Sequence, residues 1–145
     1  MYARPRLVAG VVVALWLALP CSLIGQDQPE IMHEWKLIGE IGAVRTLYVA
    51  PEGLRDKYFV AQLLQVVIPK TGQALPVQIM LFDDQRFTPQ RLPMTDVQML
   101  HLKAQYNSNP SKRLEKFVWI SVVDSKASPP KLKETEARIR PGFAE

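Results

Sequence analysis

The chain has 145 residues, with 18 basic and 14 acidic side chains, two histidines and one cysteine. Residues 1–25 hold Arg4 and Arg6 and no acid, so the remainder balances at +2, too near neutral for electrostatics to dictate a nucleic-acid partner. Cys21 is the only cysteine, which excludes an internal disulfide and a thiolate metal cluster and leaves packing alone to hold the fold.

Residues 1–25 open on the two arginines, continue through the apolar run from Leu7 to Leu19 and relax into Pro20, Cys21, Ser22 and Gly25. A basic start, an apolar centre and a short exit segment are the layout of a secretory signal peptide, so the expected location is exported, periplasmic or secreted. The alternative is a retained membrane anchor, because no charge falls between Leu7 and Ile24 and a helical span needs roughly 20 residues. Pro20 cuts that run. Ala18-Leu19-Pro20-Cys21 loosely resembles a bacterial lipobox, with Pro20 standing where the pattern wants a small, flexible residue. Membrane attachment is therefore expected only if this segment is retained or Cys21 is lipidated.

Once the leader is removed, 120 residues remain, enough for one domain and one core. Within 35–41, Gly39 interrupts strand-like residues and Gly42 follows, predicting a short first strand. Residues 44–50 are β-branched and aromatic and stop at Pro51, a better strand. In 54–68, Arg55, Tyr58, Gln62 and Gln65 fall three, four and three apart, which gathers them into one stripe on a helix and leaves a broad apolar face for a sheet. Pro69, Lys70, Thr71 and Gly72 then read as its stop and turn. Residues 77–84 are apolar on both faces except for Gln78 and end in Asp83-Asp84, as expected of a central strand covered on both sides. Pro89 and Pro93 make 85–93 the longest internal loop. Thr95-Asp96-Val97-Gln98 matches a capping box, predicting a second helix with Val97, Leu100 and Ala104 facing inward and a stop at 107–110. Residues 114–123 alternate as a last strand, and 125–145, rich in proline and charge, read as a tail that is poorly ordered or laid on the surface.

This ββαβαβ order predicts an α/β domain over 26–124, with a mostly parallel sheet of about four strands, two crossover helices and one antiparallel edge. Loops after parallel strands share one sheet edge, where open α/β folds bind ligands. That edge would collect Glu52, Asp83, Asp84 and Asp124, four carboxylates suited to a hard cation and hence to a metal-dependent hydrolase. Against this, consecutive aspartates on an extended chain diverge, and helix N-termini draw acids to such an edge for stability alone. The second candidate is Arg86, Phe87 and Arg91, an aromatic between two arginines on a long loop, which suits recognition of a partner or an anionic group, the alternative being a connector with Phe87 folded back onto the core. His33 and His101 stand in no ligand spacing, and no nucleophile, phosphate-loop or dinucleotide pattern occurs. No cofactor is expected. The leading expectation is a non-enzymatic, protein-binding or structural module of the cell envelope, with the hydrolase as its alternative.

Overall fold

The computed structural model describes residues 33–68 and 75–145. The expected leader at 1–25, Cys21 and the expected helix stop at 69–72 lie outside them. Among the described residues, six strands form one sheet in the order β1-β2-β3-β4-β5-β6, and a two-stranded ribbon, β7-β8, stands apart from it.

β1 (Trp35–Ile41) and β2 (Val44–Val49) form an antiparallel hairpin that turns at Gly42, whose φ of 57° is open to glycine without steric cost. A bulge between Leu37 and Gly39 sets Ile38 out of the pairing. Gly39 therefore bends the strand without ending it. After β2 come the short α1 (Pro51–Leu54) and then α2 (Lys57–Val67), the helix anticipated from the polar stripe. Asp56 caps it, accepting from the amides of Tyr58 and Phe59 at 3.1 Å each. Phe59, Val60, Leu63 and Leu64 are buried against Leu47, Val49, Ile79, Leu81, Tyr106 and Phe117, while Tyr58 and Gln65 face water. Full burial of one such aliphatic side chain contributes about 1.5–3 kcal/mol. β3 (Val77–Phe82) then pairs parallel to β2 and is buried on both faces.

From here the expected architecture is overturned. β3, β4, β5 and β6 pair antiparallel throughout, so the domain is a mostly antiparallel six-stranded sheet with few helices and not a four-strand parallel α/β layer. The second helix exists, and its capping box is complete, but α3 spans only Asp96–Leu100. Five helical residues rise about 7.5 Å, whereas a crossover must run back along a six-residue strand of about 20 Å. The connection therefore stays at one end of the sheet, and the chain must re-enter in the opposite direction. It does so as β4 (Leu102–Asn109), in which Leu102, Ala104 and Tyr106 are buried and Lys103, Gln105 and Asn107 half-buried, with Leu102 on the opposite sheet face from Ala104 and Tyr106 because the pairing shifts by one residue at Lys103. The inward stripe expected of a helix here does not form, and Val97 is 49% exposed. β4 is stabilised by filling the free ladder of β3, and this tertiary pairing overrides local helical preference.

β5 (Leu114–Asp124) follows a 3-10 turn at Pro110–Lys112, with Arg113 in the left-handed region. Residues 125–145 supply β6 (Lys131–Ala137), β7 (Ile139–Arg140) and β8 (Phe143–Ala144), so the reading of them as a loose tail is corrected. Lys131, Lys133, Glu134 and Glu136 populate an edge strand, where charge discourages pairing with other chains. Ile139 is only 4% exposed and packs into the α2 cluster, and the Gly142 amide donates to the Ala61 carbonyl at 2.8 Å. The opposite sheet face buries Met80, Phe82, Leu102, Val118 and Ile120, with Met94 of the β3–β4 connection packed on them.

Candidate functional site

The long connection between β3 and β4 is irregular but firmly held. Asp84 starts it: its carboxylate accepts from the Arg86 amide (2.9 Å), Arg86 Nε (3.1 Å) and an Arg86 amino group (2.8 Å), folding a 3-10 turn over Gln85–Phe87. These bonds to Arg86 hold the Asp84 carboxyl down at about 2. The Thr88 hydroxyl donates back to the Asp84 carbonyl at 2.9 Å, and the fully buried Thr46 hydroxyl of β2 donates to the Pro89 carbonyl. The loop is thus stitched to the sheet.

At the other end of the connection the antiparallel register places Asp83 beside His101, since Phe82 pairs with Leu102 and the Asp83 amide donates to the His101 carbonyl at 3.1 Å. His101 Nδ1 donates to Asp83 at 2.8 Å, and Lys103 Nζ lies 3.6 Å from the other carboxylate oxygen. A register shift between Leu81 and Phe82 leaves Lys103 as the extra residue of β4, and such bulges re-aim side chains. Lys103 also donates to the Leu100 carbonyl at 3.0 Å. Phe87 stacks flat on the His101 ring, with centroids 4.5 Å apart and planes within 8°, and the Arg86 guanidinium lies 5.4 Å from the Phe87 centroid. Arg86, Phe87, His101, Asp83 and Lys103 therefore form one continuous stack and ion-pair chain.

Of the acids expected at this edge, Glu52, Asp83 and Asp84 act on the Tyr48 phenol through their charges. Burial pushes that phenol up, and the charges of Glu34, Glu52, Asp84 and Asp83 push it the same way. They do not converge into a ligand set: among the described residues no three His, Asp or Glu side chains are placed to hold one ion. Asp83 faces His101 and Lys103, and Asp84 faces Arg86, as expected from the divergence of neighbouring side chains on an extended chain. Asp124 accepts from the Lys126 and Ala127 amides (2.9 and 3.2 Å) and serves as a turn cap after β5. His33 lies 3.4 Å from Asp56 and edge-on to Phe59, at the start of α2.

Beside the stack lies an open groove of about 520 Å³. Arg86, Arg91, Gln85, Gln90 and Gln98 line it with Thr88 and Thr95, and Ile38, set out of pairing by the β1 bulge, and Pro93 add apolar surface. Arg86 and Arg91 of the predicted trio line this groove, whereas Phe87 anchors the loop behind it. Arg91 is exposed and, among the described residues, joins no ion pair. His101, Lys103 and Ile38 were not singled out by sequence reasoning as site residues. A strand reading of 102–106 would have returned the chain antiparallel to β3 and brought His101 to the Asp83-Asp84 end, while the one-residue bulge at Lys103 decides that Asp83 and not Asp84 meets it.

The chain matches no family model, no curated protein and no solved structure.

Proposed function

We propose that this protein is an exported, non-enzymatic module of the cell envelope that binds a protein partner through the surface formed by residues 85–98. The observation that carries the reading is the pinned loop with an open groove beside it. A connection held at Asp84, Phe87, Thr88 and Pro89 presents exposed Arg91 and three glutamines from an ordered framework. Holding a recognition surface in its bound shape lowers the entropic cost of association. Export is supported by the basic start and apolar run of residues 1–25. An enzymatic reading draws less support. With Nδ1 committed to Asp83, the His101 ring offers Nε2, and among the described residues no hydroxyl is bonded to it as a nucleophile would be.

The test is partner recovery in the native host, using a photo-crosslinking residue at Gln90 and another at Tyr58 on α2. A discrete adduct at Gln90 alone, lost in the Phe87→Ala/Arg91→Ala double variant, is the expected result. Unchanged recovery by that variant counts against the loop.

A further inference from the structure

Resting on the partner-binding reading, we infer that the groove between Arg86, Arg91 and Gln98 takes an extended, carboxylate-rich segment of the partner protein.

Charge comes first. Among the described residues, two arginines line the groove and no acid does. Asp84 engages Nε and one amino group of Arg86, leaving its second amino group for a ligand, while the whole Arg91 fork is free among the described residues. A guanidinium presents paired donors that match a carboxylate two to two, and fixing one arginine in advance reduces the ordering cost on binding.

Carboxylates and phosphoryl groups both suit arginine, and the glutamines discriminate between them. Each primary amide offers donors and an acceptor, the complement of a peptide group, whereas phosphoryl oxygens offer acceptors only and would leave the amide oxygens of Gln85 and Gln90 unmatched. Among the described residues no aromatic side chain lines the groove, so stacked bases find no platform there. Ile38 and Pro93 lie in the lining and offer apolar surface to side chains of an extended chain. An acidic peptide uses every one of these features.

The experiment selects a displayed library of random dodecapeptides on the immobilised chain, on Arg91→Glu, and on Lys57→Glu as a charge reversal on α2, across the sheet. Wild type and Lys57→Glu are expected to enrich aspartate and glutamate about twofold or more over the input, and Arg91→Glu is expected not to. Recovery should fall as salt rises, as charge pairing at an exposed site requires. An enriched pool without acidic bias overturns the carboxylate inference while sustaining the groove as a peptide site. Acidic enrichment that survives Arg91→Glu also overturns it, by removing the charge from this groove. Release by millimolar inorganic phosphate but not by glutamate assigns the groove to phosphoryl ligands instead. Absence of any enrichment on wild type overturns both this inference and the partner-binding reading of the loop.

Discussion

Replacing Gly39 with alanine strikes the place where the β3–β4 loop rests on the sheet. A Cβ there would sit 2.5 Å from the Thr46 hydroxyl oxygen, 2.8 Å from the Pro89 carbonyl oxygen and 3.3 Å from the Gln90 Cα. Two of these atoms are backbone, and the third is the donor that holds Pro89. Neither rotation of a side chain nor a small shift of β1 relieves all three, so the loop must retreat. Overpacking of this kind costs about 1–3 kcal/mol. Weakening the buried Thr46–Pro89 hydrogen bond adds about 1 kcal/mol. The combined loss, about 2–4 kcal/mol, corresponds to a melting temperature lower by about 10–20 °C for a domain near 100 residues. Gly42→Ala is the internal control: among the described residues nothing lies within 4 Å of its Cβ, and only the left-handed φ of 57° opposes it, at about 1 kcal/mol. Thermal and urea unfolding of the two variants beside wild type measure the difference, and limited proteolysis at residues 88–92 reports release of the loop. A Gly39→Ala protein that melts within about 2 °C of wild type, or that is hardier than Gly42→Ala, refutes the claim that loop and sheet are fitted this closely.

Ile139→Ala should cost about 2–5 kcal/mol, because Ile139 is buried against α2; a shift below about 0.5 kcal/mol in urea unfolding would return residues 138–145 to the status of a loose tail. Burial pushes the Tyr106 phenol up to about 12, while in the unfolded chain it ionises near pH 10. Stability is then fully present below about pH 10 and lost as pH rises towards 12, and Tyr106→Phe should flatten that alkaline decline in urea midpoints. Asp84, held at about 2 by Arg86, and Asp56, held low first by the Phe59 amide, stabilise the fold above about pH 4 and lose that contribution as pH falls. Asp84→Asn should therefore shallow the loss of stability between about pH 4 and 2, and added salt should diminish the wild-type effect because the pair is exposed. Millimolar Mg²⁺ or Ca²⁺ should leave the melting temperature unchanged, since Glu52, Asp83, Asp84 and Asp124 do not converge; a clear rise would revive the metal-dependent alternative.

Local patterns in the chain determined the strands β1 and β2, the α2 helix with its polar stripe, the doubly buried β3, the capping box at Thr95 and the alternation of β5, because each is written within a few residues and obeys one periodicity. They also draw attention to Arg86, Phe87 and Arg91, since an arginine-aromatic cluster on a proline-broken loop is visible without coordinates. Only the tertiary structure decided the rest. Whether 102–106 continues a helix or starts a strand depends on the unfilled ladder of β3, a partner some 25 residues away, and the answer reverses the chain direction and with it the sheet. The charges of 131–137 read equally as disorder or as edge protection until β5 is seen to need a neighbour. The pairing of Asp83 with His101, the re-aimed Lys103 and the groove beside them all follow from that one antiparallel return, because register, not sequence proximity, sets which side chains meet.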